Sequence, residues 1–269
     1  MSNTDTKNKE TFGGTVIFVF IICLVCAALV SISAVGLKPL QQANKLLDKQ
    51  TKILEASGIL EKAGASLEAK NIVATYKKFV TAKMVDLKTG VIIDDASIEE
   101  IDMFDERSDS RDATKSTKPA NDIAGLSRRA DRAVIYLVNN DAGQLDTIVL
   151  PIVGSGLWDL MYGFVGLAPD LNTVRSVVYS DLKETPGLGA EVLNPKWKAL
   201  WPGKKMYNEQ GEPVIKLVKG GAKKGDVHGV DALSGATLTS AGVTRTLQFW
   251  LGDEGYGPFV SNFKDGGLE

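Results

Sequence analysis

Residues 133–179 read AVIYLVNNDAGQLDTIVLPIVGSGLWDLMYGFVGLAPDLNTVRSVVY. Val134–Val138 is a β-branched and aromatic run, and the turn-rich Asn139-Asn140-Asp141-Ala142-Gly143 follows it. Thr147–Val153, Met161–Leu167 and Val174–Tyr179 are further short apolar runs, each bounded by Gly, Pro or Asp. Short neighbouring strands with tight turns favour an antiparallel sheet, because a parallel pair needs a crossover of about a dozen residues.

Helical patterns flank this region, which makes the class α+β. Before it, Leu46, Leu47, Ile53, Leu54 and Leu60 recur at helical spacing within a segment from Leu40 to about Leu67. Ala69–Met84 is a second helical candidate. Val85–Leu87 and Val91–Ile93 then read as strands around the turn Lys88-Thr89-Gly90. After the sheet region, Val214–Val218 is a short strand. Val243, Leu247, Trp250 and Leu251 fall at i, i+4, i+7 and i+8, the apolar stripe of an amphipathic helix. Thr239 or Ser240 can serve as its N-cap.

The amino-terminal part is different in kind. No charge occurs between Glu10 and Lys38, and Val16–Leu37 reads VIFVFIICLVCAALVSISAVGL. About 20 apolar residues cross a bilayer core, so a retained single span in the lipid bilayer is expected over residues 15–37. The competing reading is a cleaved signal peptide, whose apolar region is shorter, about 7–15 residues. The organisation expected is a tail at 1–14, the span at 15–37, a membrane-proximal helical segment at 38–68, a helix-hairpin region at 69–130, and a ligand-binding domain at 131–269. Flanking lysines (Lys7 and Lys9 before the span; Lys38, Lys45, Lys49 and Lys52 after it) taken alone put the large domain in the cytoplasm. The positive-inside rule is weak for long domains, which translocate largely regardless of charge.

Composition narrows the function. The chain has 269 residues, with 31 Lys+Arg against 33 Asp+Glu. No basic stripe suits nucleic acid. Two cysteines and one histidine cannot build a Cys/His metal site, which takes about three or four ligands. Cys23 and Cys26 lie inside the span as small apolar residues, and His228 reads as a hydrogen-bonded loop residue. Residues 94–122 hold ten acidic and four basic side chains. This is a polar excursion, either a solvated surface or a docking face for a basic partner.

Three segments carry candidate chemistry. In Asp231-Ala232-Leu233-Ser234-Gly235-Ala236-Thr237, small residues precede a helix start, where free N–H groups and the positive dipole end favour a phosphate. The alternative is an ordinary capped helix. In Glu184-Thr185-Pro186-Gly187-Leu188-Gly189, the Pro-Gly pair sets a turn and the glycines allow close backbone approach. Gly154-Ser155-Gly156-Leu157-Trp158-Asp159-Leu160-Met161-Tyr162-Gly163-Phe164 joins a flexible entry to aromatic residues. There is no nucleophile elbow, P-loop or complete dinucleotide fingerprint.

Together these segments resemble one family. The Asp231-x-x-Ser234-Gly235-Ala236-Thr237 run is similar to the flavinylation motif of FMN-binding domains. The single span, the G-x-G-L-W-x-x-M-Y-x-F and E-T-P-G-L-G blocks, and the His228–Thr237 run resemble the C subunits of the sodium-translocating NADH:quinone oxidoreductases. The likeness extends over nearly the whole chain and is specific from about residue 130. It implies a covalent FMN, its phosphate esterified to Thr237 by a separate flavin transferase that uses FAD as donor. It gives Asp231, with Ser234, Gly235 and Ala236, to the motif the transferase reads, and the last three to the phosphate turn. It sets Glu184, Thr185, Gly187 and Leu188 against the flavin ring or ribityl chain, and Leu157 and Trp158 on a ring face. Lys219 would offset phosphate charge. It further implies an electron relay in a bacterial inner-membrane complex that oxidises NADH, reduces ubiquinone and exports sodium. The large domain would be periplasmic, between an iron–sulfur centre and another FMN-bearing membrane subunit, and inactive alone. The alternatives are the FMN-carrying G subunit of the related ferredoxin-dependent ion pump, or a membrane-anchored assembly protein without flavin.

Overall fold

The structure, a computed structural model, describes residues 12–60 and 69–266. The chain divides into two compact units, Met1–Leu46 and Leu47–Glu269. Helix α1 runs from Phe12 to Ala56 as one helix of 45 residues with Pro39 inside it. The sequence pattern separated a span ending at Leu37 from a helix beginning at Leu40, and the structure joins them. Pro39 removes only the single N–H that would serve the Val35 carbonyl, and the turns on either side carry the helix through. Phe18, Val19, Phe20 and Ile21, four consecutive residues about 100° apart around the helix, are all exposed. A helix apolar on every side suits lipid rather than water, and α1 is long and apolar enough to cross a membrane. Beyond Ala56, residues 57–60 are described, and the rest of the expected segment, 61–67, lies outside the described residues.

The second unit is built on one sheet. β1 (Val80–Asp86), β4 (Arg132–Asn139), β5 (Leu145–Ser155), β6 (Leu160–Leu167) and β7 (Val174–Asp181) lie in that order across a five-stranded antiparallel sheet. β1 corrects one expectation. The predicted helix at Ala69–Met84 stops at Phe79 as α2 (Ala69–Phe79), and the chain continues as strand. Val80 to Asp86 pair residue by residue with Val138 to Arg132, so ladder hydrogen bonds override the local helical pattern. The expected partner strand at Val91–Ile93 shrinks to one bridge, Val85 to Ile92.

Both faces of the sheet are covered, which explains why its strands are almost continuously apolar. Side chains alternate across a strand. Ile135 and Leu137 point into the larger core, and Val134, Tyr136 and Val138 into the smaller one. The end of α1 closes the smaller core with Ile53 and Ala56. The Ala56 carbonyl accepts from Ser176 Oγ at 2.9 Å, and a Cβ on Gly166 would collide with it. Glu55 pairs with Lys198 there.

Helix α6 (Thr237–Leu251) lies across β5 on the other face. Gly242 and Gly154 set its closeness: a Cβ on Gly242 would meet the Ser155 carbonyl, and one on Gly154 would meet Thr246. Trp250 Nε1 donates to the Val153 carbonyl at 2.6 Å. α7 (Gly257–Gly266) completes this layer.

The acidic stretch at 94–122 is folded, with α3 (Ile98–Met103), α4 (Glu106–Asp109) and β2 (Ser116–Thr117), which pairs with β3 (Arg129–Ala130). Several of its carboxylates are local caps. Asp105 accepts from Arg107 N, Asp112 from Thr114 N, and Asp122 from Leu126 N and Ser127 N.

Candidate functional site

The Gly154–Phe164 block is the β5–β6 hairpin. Its tip is closed by Gly156 N donating to the Asp159 carbonyl at 2.9 Å. Leu157 and Trp158 stand at the tip, 47% and 68% exposed. Lys183 pairs with Asp159 across the hairpin's edge, and its hydrogen bond, with that of Leu160 N, holds the Asp159 carboxyl below the usual range.

The 184–189 segment follows β7 and lies against that tip. Thr185 accepts from Trp158 Nε1 at 3.2 Å. Thr185 to Leu188 is a tight turn, with Leu188 N donating to the Thr185 carbonyl at 3.1 Å and Gly187 at φ +76°. Only glycine takes that φ without strain. Gly189 opens a 3₁₀ turn (Gly189–Leu193) that leads into α5 (Pro195–Lys198). The carboxylate of Glu184 is buried. Its Oε1 accepts from Leu157 N at 2.8 Å and Trp158 N at 3.2 Å, and its Oε2 from Thr239 Oγ1 at 2.5 Å.

The third segment joins β9 (Gly229–Asp231) to α6. β9 pairs in parallel with β8 (Lys216–Val218), shorter than the predicted Val214–Val218 strand. The helix begins at Thr237, and its N-cap is Ala236, which has no capping side chain. This corrects the assignment of Thr239 or Ser240 as cap. Both point inward and are buried. Ser240 Oγ accepts from Leu233 N at 3.0 Å and donates to the Ala236 carbonyl at 2.9 Å, so it clamps the turn onto the helix. The backbone N–H groups of Thr237, Leu238 and Thr239 consequently have no acceptor among the described residues. Thr237 is exposed at this opening.

The three segments meet. Gly235, at φ +72°, lies so close to Leu188 that an added Cβ would stand 3.0 Å from Leu188 Cδ2. Thus Leu157, Trp158, Glu184, Thr185, Gly187, Leu188, Ser234, Gly235, Ala236 and Thr237 form one region. Leu238 adds a 61%-exposed apolar side chain beside Thr237. Asp231 and Lys219 sit at its margin. Asp231 Oδ1 accepts from Ala222 N, and Lys219 is an exposed residue of the turn after β8, with Val218 and Ala232 bonded at its base. Sequence reasoning missed Thr239 and Ser240 as supports, and Trp197, whose Nε1 donates to the Asp231 carbonyl at 2.9 Å. The signal for the first two was their position, two and three residues beyond Thr237, where a hydroxyl can turn back on its own loop. His228 is a loop residue as expected, its Nδ1 2.9 Å from the Lys205 carbonyl.

Residues 156–252 match the family model of the FMN-binding domain. The chain is 44% identical to the C subunit of the Na(+)-translocating NADH-quinone reductase of Yersinia pestis over 273 aligned residues, covering 100% of this chain and 99% of that protein. It is 44% identical to the corresponding C subunit from Vibrio alginolyticus, with 100% of each covered. Among solved structures, NqrC from Shewanella oneidensis superposes with a TM-score of 0.76 at 37% identity, over 84% of this chain and 99% of that one. The C subunit from Parabacteroides distasonis gives a TM-score of 0.63 at 25% identity, over 84% and 97%. The chain therefore shares its fold with these C subunits, and it belongs to the family of C subunits of the Na(+)-translocating NADH-quinone reductases.

Proposed function

We propose that this chain is the membrane-anchored relay of a Na(+)-translocating NADH-quinone reductase, and that it carries FMN as a phosphoester on Thr237. The observation that carries the reading is the uncapped start of α6. An exposed hydroxyl stands there beside backbone N–H groups at 237–239 that no described protein group satisfies. The helix dipole adds positive potential at the same point. This donor set fits a phosphate, and the apolar Leu157, Trp158, Leu188 and Leu238 fit a planar ring. When bound, FMN accepts and passes on electrons.

The chain's residues have distinct parts in this reading. Thr237 Oγ1 would hold the FMN phosphate as an ester, with FAD as donor and AMP as the leaving group, through a flavin transferase that reads Asp231 and Ser234–Thr237. Ser234, Gly235 and Ala236 keep side chains out of the phosphate's way. Leu157, Trp158 and Leu188 exclude water from the ring, Thr185 steadies Trp158, Gly187 gives the turn its shape, and Lys219 adds positive charge. A covalent link removes dissociation and keeps the cofactor at high local concentration.

The anchor helix suits a component of a membrane complex. We assign the globular unit to the periplasmic side of the inner membrane, with an iron–sulfur centre and a second FMN-bearing protein of the complex as electron partners. Absorbance of the chain after denaturation tests the reading. A flavin spectrum that stays with the protein supports it, and loss of all flavin on unfolding contradicts it.

A further inference from the structure

Each of the three site segments contributes a residue to one buried group, the Glu184 carboxylate. It accepts the Leu157 and Trp158 N–H groups of the hairpin tip and the Thr239 hydroxyl of α6, and these three donors are neutral. Its surroundings are shaped to admit it. A Cβ on Gly156 would collide with Oε1, and a Cβ on Gly189 would collide with Oε2. Two glycines of the motif blocks are therefore accounted for by a protein carboxylate that occupies the space of their missing side chains.

We infer that Glu184 is a positioning residue: its carboxylate ties the Leu157–Trp158 tip to the first turn of α6, fixing the ring-facing side chains relative to the attachment point. Thr239 is two residues beyond Thr237 on that first turn, so the bracket sets where the tip stands with respect to the hydroxyl that would carry the flavin. Hydrogen bonds to a charged acceptor are about twice as strong as neutral ones, and a buried acceptor with several donors holds its geometry closely. The flavin part of this inference rests on the Thr237 reading. The bracket itself concerns only the chain's own atoms.

The test compares the full chain made with and without flavin transferase. It reads hydrogen exchange of the 155–161 peptide, anisotropy of the flavin fluorescence, and in-gel flavin fluorescence. In Glu184→Ala, exchange at 155–161 is expected to quicken about tenfold and the anisotropy to fall, while in-gel fluorescence persists. Glu184→Gln should restore both readouts in large part, short of wild type because its hydrogen bonds are neutral. Its amide oxygen still accepts from Leu157 and Trp158, and its NH₂ group donates to Thr239 Oγ1. Thr239→Val cuts only the helix arm, so anisotropy should fall while exchange at 155–161 stays slow. If Glu184→Ala does not fold, the Gln and Thr239→Val variants decide. Unchanged exchange and anisotropy in Glu184→Ala, or Glu184→Gln behaving like a full loss, overturns the inference. A wild-type chain with no in-gel flavin fluorescence sinks the covalent reading instead, and the exchange measurement then decides the bracket alone.

Discussion

A Cβ placed on Gly235 would stand 3.0 Å from Leu188 Cδ2, so the small residue of the 234–237 turn and the apolar residue of the 184–189 turn are in direct opposition. Gly235 also has φ +72°. Gly235→Ala therefore meets two penalties: a left-handed backbone costs a side chain about 1 kcal/mol, and Leu188 must retreat a few tenths of an ångström. The expected outcome is a folded chain, a melting temperature lower by a few degrees, and slower flavin loading by the transferase. Loading at the wild-type rate would separate the two turns functionally.

Gly187→Val probes the neighbouring turn by a different route. Gly187 has φ +76°, and nothing lies within 4 Å of where a Cβ would stand, so the cost is backbone strain alone, about 1–3 kcal/mol. The strain should reshape the turn that carries Thr185 and Leu188, leaving the 231–240 segment intact. In-gel flavin fluorescence should persist while electron transfer through the assembled complex slows. Unchanged transfer would put this turn away from the ring.

The strands at Val134–Val138 and Val174–Tyr179 were legible because β-branched runs between turn residues have few other uses. Residues 80–84 were not, because Val80-Thr81-Ala82-Lys83-Met84 continues a helical spacing and only pairing with β4 decides otherwise. At the site, the turn before α6 and its open N–H groups follow from small residues ahead of an amphipathic stripe. The supports do not. Glu184 reaches partners 26, 27 and 55 residues away, a relationship fixed by the fold and invisible to local spacing. Thr239 and Ser240 look like caps in sequence, and it is the packing of α6 on β5 that turns them inward.

Stability at low pH has an identifiable contributor far from the site. Burial raises the Asp170 carboxyl, but hydrogen bonds from the Thr173 hydroxyl and N–H and the Asn172 N–H, with Lys205 nearby, outweigh it and hold it at about 2. A depressed carboxyl stabilises the fold above its ordinary value of 3.8, and that contribution is lost as pH falls through about 2. Asp170→Asn should therefore cost about 1 kcal/mol at neutral pH, discounted for a half-exposed group. The difference from wild type should close between pH 3.8 and about 2. A pH-independent gap in chemical denaturation would assign the loss to packing instead.

Topology can be read directly. Among the described residues α1 is the one helix able to span a membrane. With the globular unit on the periplasmic side, as proposed, protease added to intact spheroplasts should digest it. Its survival until the membrane is permeabilised would reverse the orientation and favour the lysine count after the span.

The most direct test of the Thr237 assignment is the mass of the intact chain, followed by mapping of the modified peptide. The expected result is an added mass equal to esterified FMN, located on the peptide containing Thr237, and absent from Thr237→Ala. That variant should stay folded, because Thr237 is exposed and its hydroxyl has no partner among the described residues. An unmodified mass in wild-type chain made with the transferase would contradict the covalent reading. An ester on Thr239, whose hydroxyl is buried against Glu184, would keep the covalent link and contradict the Thr237 assignment.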